Sequence, residues 1–218
     1  MTKAKFNAEI KTIKVLALHG SEGNGEEFIK RLGTLQKDAA SKSMELDITS
    51  IDGPFPKGNG FAWWNMPPGK RSYTAEEYEG FEASTSKVLS VWESNSFDII
   101  LGHSQGAILV AAIIALGLSP YHPSKGYVLN GAAYPNPYME QLKSLKIESD
   151  KRTPPPRVLC IIGQNDQITG ASIQIQLRNC LQDAGLDVST IEHPGGHSFP
   201  TKEDETMAAV TSWFSLLG

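Results

Sequence analysis

Residues Gly102-His103-Ser104-Gln105-Gly106 read G-x-S-x-G, and the apolar run Phe97–Leu101 leads straight into them. A helical pattern follows from Gln105 through Leu116. A serine held at a strand-to-helix elbow has its hydroxyl lifted out of the sheet edge, and flanking glycines let the backbone turn and pack closely. The pentapeptide alone carries little weight in a chain with 20 glycines. Its strand–turn–helix setting is what marks Ser104 as a candidate nucleophile.

A serine hydroxyl is too weakly acidic to attack a carbonyl unaided, so it needs a base and a group that orients the base. In the α/β-hydrolase arrangement these follow in the order Ser…Asp/Glu…His, each on a loop after a strand. Asp166 lies in Gly163-Gln164-Asn165-Asp166, just past the strand pattern Arg157–Ile162. His197 lies in Pro194-Gly195-Gly196-His197, just past the strand pattern Asp187–Glu192. If the strands are parallel, all three groups arrive at one sheet edge. His197 would take the Ser104 proton and return it to the leaving alcohol, while Asp166 would fix the imidazole tautomer.

Other residues compete for these roles. His193 ends its strand before the glycine pair, and His19 and His103 sit beside glycines at strand ends, where they shape the turns. His122 lies in a Pro-flanked loop and reads as surface. Asp166 could also be a plain turn-former, a common role for Asp near Gly and Asn. Asp183 and Asp187 sit in a helix end and a strand start and are poorer candidates.

The oxyanion formed by such chemistry needs preorganised donors. One candidate is the backbone N–H of Gln105, at a helix N-terminus. The other is the N–H of Ser21, in the loop His19-Gly20-Ser21-Glu22-Gly23-Asn24-Gly25 that follows an early strand. That loop could also be a simple glycine-rich connection. Its spacing matches neither dinucleotide- nor nucleotide-phosphate loops. Trp64, with Phe55, Phe61, Trp63 and Met66 beside it, could line an acyl pocket or merely anchor a long loop. Phe199, two residues past His197, is a candidate pocket wall. No His/Asp/Glu cluster has ligand spacing, so no metal site is expected.

Elements able to position these groups alternate along the chain. Ile13–Leu18 reads as a strand, then a helix shows Phe28, Leu32, Leu35 and Ala39 on one face, then Met44–Ile51 alternates as a strand. Thr74 and Glu77 form a capping-box pattern that predicts a helix starting at Thr74, with Tyr78, Phe81, Val88 and Trp92 inward. Strands follow at Tyr127–Asn130, Arg157–Ile162 and Asp187–Glu192, with a helix over Ser172–Ala184 ended by Gly185 and another from about Asp204 to Leu217. Residues 52–72 and 131–156 read as irregular. Such alternation predicts a mostly parallel sheet of about six strands with helices on both faces, in a single domain over residues 1–218.

Bulk properties narrow the partners. A length of 218 residues with 40% hydrophobic and 20% charged content is enough for a sizeable core. A net charge of −4 without a Lys/Arg block excludes a nucleic-acid binder by charge. Cys160 and Cys180 fall in strand and helix patterns and read as reduced, which fits a reducing compartment. The N-terminus lacks a signal-peptide pattern, and the apolar run Ala107–Leu118 is too short to span a bilayer. The expectation is a cytoplasmic protein without membrane insertion, acting on a small molecule; its oligomeric state is left open.

Taken together, these segments resemble the family of small serine hydrolases typified by fungal esterases and the ovarian-cancer-associated homologue. The likeness rests on Leu18-His19-Gly20, Asp52-Gly53-Pro54, Trp63-Trp64, Tyr78-Glu79-Gly80, the elbow with Ala107, Gly163-Gln164-Asn165-Asp166 and His193-Pro194-Gly195-Gly196-His197. The resemblance implies an α/β-hydrolase fold without a large cap domain, no cofactor, and a Ser-Asp-His triad cleaving carboxylic esters. Family members commonly carry phenylalanine where this chain has His103, and many carry a large apolar residue where it has Ser21. Thioester or lysophospholipid hydrolysis by the same triad is the nearest rival. A ligand-binding module that keeps the fold without turnover is a rival of another class.

Overall fold

The computed structural model describes residues 10–118, 126–147, 154–201 and 205–217. His122 and the expected helix start at Asp204 lie outside them. In chain order the elements are β1 (Lys11–Leu18), α1 (Gly25–Ser41), β2 (Met44–Ile51), β3 (Phe55–Lys57), β4 (Gly60–Ala62), α2 (Phe81–Glu93), β5 (Ile99–His103) and α3 (Gln105–Ala115). They continue with β6 (Gly126–Asn130), α4 (Met139–Ser144), β7 (Arg157–Gly163), α5 (Ala171–Asp183), β8 (Asp187–His193) and α6 (Thr206–Ser215).

Six strands form one sheet in the order β2-β1-β5-β6-β7-β8, every pair parallel. The continuous apolar runs of β5, β6 and β7 lie buried at its centre, as strands covered on both faces must. At the two edges, β2 and β8 keep half-exposed positions. The chain moves outward from β1 to β2, then crosses back to β5 and proceeds the other way. That reversal opens a crevice beyond the carboxyl ends of β1 and β5, where open α/β sheets bind ligands. Both the Ser21 loop and Ser104 stand there.

Two apolar layers sandwich the sheet. One joins Phe28, Leu32, Leu35 and Ala39 of α1 to Val210, Trp213 and Phe214 of α6. The other joins α2 and α3 to Trp63, Trp64 and Tyr78. Every residue of α3 is buried, so this helix shows no polar stripe and packs as core behind the elbow. Each of its fully buried Leu and Ile side chains contributes roughly 1.5–3 kcal/mol. Cys160 and Cys180 are unbridged, and burial pushes the Cys160 thiol up to about 12.

Three departures from the sequence reading have local causes. The helix expected from Thr74 begins instead at Phe81, after Gly80 in a left-handed conformation (φ 89°). Asn65 N–H donates to Glu79 O (3.0 Å), which holds the preceding segment extended; Ser72–Thr74 makes only a short 3-10 turn. The irregular stretch 52–72 contains the antiparallel hairpin β3–β4. Within residues 131–156 the short helix α4 packs Leu142 into the core.

Candidate active site

Ser104 sits between β5 and α3 with φ 51° and ψ −119°, a backbone conformation costly for any residue with a Cβ. The surrounding structure enforces it. Ser104 N–H donates to Asn130 O at the end of β6 (2.9 Å), and Ser104 O accepts from Ile108 N–H (3.0 Å), starting α3.

The three residues expected to work together are brought together. The Ser104 hydroxyl donates to His197 Nε2 at 2.7 Å, and His197 Nδ1–H donates to Asp166 Oδ2 at 2.6 Å. Ser104, Asp166 and His197 follow β5, β7 and β8, so parallel pairing delivers them to one sheet edge. Gly131, just past β6, makes room for the imidazole: at φ 62°, a Cβ there would lie 3.1 Å from His197 Cε1.

Asp166 is buried and fully engaged. Its Oδ1 accepts from the N–H groups of Ile168 and Thr169, both at 2.8 Å. Its Oδ2 also accepts from Gln174 Nε2 at 3.0 Å. Burial alone would raise this carboxyl, but the hydrogen bonds from His197, Thr169 and Ile168 outweigh it and hold the pKa below its ordinary 3.8. Asp166 is therefore a carboxylate beside the imidazole near neutral pH. Gln174 escapes a sequence reading because only the fold of α5 brings it back to the Asp166 turn. Its Nε2 also donates to Thr169 O (2.6 Å), tying that turn to α5.

Two further histidines surround the site and both are held neutral. The His103 ring lies 5.1 Å from the His197 ring, centroid to centroid, and Asn130 Nδ2 donates to its Nδ1 at 2.7 Å. Burial, with the nearby His197 and the Arg31 charge adding to it, lowers its pKa to about 3. His19 donates from Nδ1 to Gly20 O (2.6 Å) and accepts at Nε2 from Gly53 N–H (3.0 Å); burial lowers its pKa too. These two bonds lock the loop after β1.

The aromatic segment frames that loop. Trp63 Nε1 donates to His19 O (2.8 Å), and Trp63 N–H donates to Gln105 Oε1 (3.0 Å). Gln105 Nε2 in turn donates to Trp64 O (3.0 Å), and Ser84 Oγ donates to Trp63 O. Phe61 exchanges two backbone hydrogen bonds with the loop: its O accepts from Glu22 N–H and its N–H donates to Gly23 O, each 2.8 Å. The Gln105 side chain thus staples the tryptophan pair to the start of α3, a role its place after the serine did not disclose.

Ser21 and Gln105 both line a cavity of about 490 Å³ that opens onto Ser104 and His197. In the first turn of α3, the Gln105 N–H has no helical acceptor. The Ser21 N–H has no backbone acceptor among the described residues.

The expectation for Trp64 and Phe199 is corrected. Trp64 is 0% exposed and stacks on Tyr78 at 4.1 Å in the core beneath the hairpin, so no surface remains to meet a substrate. Phe199 packs in the α1–α6 layer with Trp213 and Phe214. Neither reaches the cavity. Its apolar wall comes instead from Phe28, Met66, Ile108 and Ile168. Of the aromatic cluster and its neighbour, Met66 alone lines it.

Known proteins resemble this chain over most of its length. A family model described as serine hydrolase (FSH1) matches residues 8–209. Esterase OVCA2 of Xenopus tropicalis is 29% identical over 223 residues, covering 91% of this chain and 91% of that protein. Esterase AGAP003155 of Anopheles gambiae is 28% identical over 218 residues, covering 93% of this chain and 77% of that protein. The crystal structure of esterase PE8 matches with a TM-score of 0.71 at 19% identity, over 95% of this chain and 94% of that one. The last likeness is one of fold: the α/β-hydrolase sheet, with no large cap domain among the described residues.

Proposed function

The chain belongs to the serine hydrolase (FSH1) family, and on that footing we propose that it is a carboxylesterase working through an acyl-enzyme on Ser104. One observation carries the reading: the continuous hydrogen-bonded run from Ser104 Oγ through His197 to Asp166, at 2.7 and 2.6 Å.

In the proposed reaction Ser104 Oγ attacks the ester carbonyl carbon as its proton passes to His197 Nε2. The carbonyl oxygen becomes an oxyanion held by the N–H groups of Ser21 and Gln105. Collapse breaks the carbon–oxygen bond to the alcohol, which leaves with the proton from His197 and an acyl group on Ser104. Water then gives a proton to His197, its oxygen attacks the acyl carbon, and the acid leaves as Ser104 recovers the proton. Asp166 stays ionised throughout and stabilises the imidazolium. The same geometry acts on a thioester, with sulfur as the leaving atom.

The two unbridged cysteines, with no helix among the described residues long and apolar enough to cross a membrane, support placing the protein in the cytoplasm. A fluorophosphonate probe tests the reading. It should label the wild type and not Ser104→Ala, and ester turnover should fall by about 10⁴-fold or more in that variant. Unchanged turnover in Ser104→Ala would overturn it.

A further inference from the structure

The charge lining the cavity runs opposite to that of the chain. The protein carries a formal net charge of −4. Yet the cavity is lined by Arg31, Lys57, Lys70 and Arg71 against two carboxylates, Glu22 and Glu27. Those carboxylates are already committed: Glu22 faces Lys57 at 3.7 Å, and Glu27 pairs with Lys30 at 3.0 Å. Lys57 also donates to Ser21 Oγ at 3.1 Å, so its charge is spent on the loop beside the nucleophile.

Arg31, Lys70 and Arg71 remain. Among the described residues none of their charged groups has an ion-pair partner. Arg31 stands on α1, one turn beyond Glu27, and Lys70 and Arg71 stand in the segment between β4 and α2, yet all three line the cavity that holds Ser104. The apolar side chains of Phe28, Ile108 and Met66 share that wall. All three are solvent-exposed at the cavity lining, where uncompensated cations raise the local concentration of anions in a way that salt screens. Guanidinium groups moreover offer paired donors shaped for an oxyanion.

We propose that the preferred substrate is an ester bearing a second, anionic oxyacid group, a carboxylate or a phosphate, which Arg31, Lys70 and Arg71 hold while Ser104 receives the acyl chain. The inference rests on the acyl-enzyme reading above and adds the substrate's charge to it. In this arrangement the anion anchors the end of the substrate remote from the scissile bond, and Met66 and Ile108 meet the carbon chain between.

The test compares monoethyl glutarate and 2-phosphoethyl pentanoate with two neutral esters, diethyl glutarate and ethyl pentanoate, at low and high ionic strength. At least one anionic ester should show a kcat/KM about tenfold above its neutral counterpart at low salt, with the advantage shrinking as salt screens it. Whichever anion prevails identifies the oxyacid. Arg31→Gln and Arg71→Gln should each reduce the anionic-to-neutral ratio. Fluorophosphonate labelling of Ser104 in the same preparation separates the two claims. Labelled protein that hydrolyses neutral esters as well as or better than both anionic ones overturns the charge inference alone. An unlabelled protein that turns over none of the esters overturns both.

Discussion

The His103 and His197 rings lie 5.1 Å apart with their planes inclined at 43°, so one imidazole forms part of the bed on which the other rests. They differ in surroundings. His197 meets Ser104 and Asp166, whereas His103 is buried beside Phe28, Asn130 and His197 at the cavity lining. Burial lowers the His103 pKa to about 3, and of the two rings His197 is the one hydrogen-bonded to Ser104.

That arrangement sets a pH dependence of stability. His103 has a pKa of about 3 when folded, against an ordinary 6.5. Between these values the unfolded chain binds a proton that the folded chain does not, so stability is full above pH 6.5 and is lost as pH falls toward 3. The loss is on the order of 1 kcal/mol per pH unit for this group. His19, lowered in the same direction, adds to it. Urea unfolding across pH should show the decline, and His103→Phe should flatten it. An equal slope in His103→Phe would remove His103 from the account.

Gln174 gives Asp166 Oδ2 a second donor at 3.0 Å, on the oxygen that also receives His197. Gln174→Leu should raise the Asp166 pKa and lower kcat about tenfold, one hydrogen bond to a charged group being worth ~1.5 kcal/mol. Steady-state kinetics with a pH profile checks this. A drop in KM or stability alone, with kcat and the acid limb unmoved, would make Gln174 a packing residue only.

Gly131 serves His197 by lacking a side chain. Gly131→Ala would force a left-handed backbone costing roughly 1–2 kcal/mol and press a methyl against the imidazole, 3.1 Å from Cε1. We expect kcat to fall more than tenfold while the fold survives, because displacements near 1 Å cost about a hundredfold in a positioned site. Circular dichroism beside kinetics separates the two effects.

Trp64 is a structural prediction. Fully buried and stacked on Tyr78, it should lose about 3–5 kcal/mol on Trp64→Ala, with no shift in the ranking of acyl lengths. Met66→Ala, at the cavity wall, should do the reverse. Denaturant titration and a chain-length series of esters read both.

These contrasts show what one dimension of sequence can carry. Ser104, Asp166 and His197 were legible because each follows a strand within a few residues, and parallel pairing then leaves them one place to go. The buried face of α1 was legible because its period of 3.6 is local. Trp64 and Phe199 were not, since sequence distance from Ser104 or His197 does not reveal which side of the sheet a side chain joins. The helix start at Thr74 misled because its capping pattern is local, while the Asn65–Glu79 bridge that overrides it is tertiary. Gln105 was read for its backbone alone. Its side chain reaches Trp63 and Trp64, 42 and 41 residues away, a link only the fold makes.

The central claim is the acyl-enzyme on Ser104, and trapping that species tests it most directly. Protein quenched in acid during turnover of a slowly deacylating ester should carry one acyl mass, and peptide mapping should place it on the segment containing Ser104. Ser104→Ala should carry none. An acyl group mapped elsewhere, or full turnover by Ser104→Ala, would contradict the account.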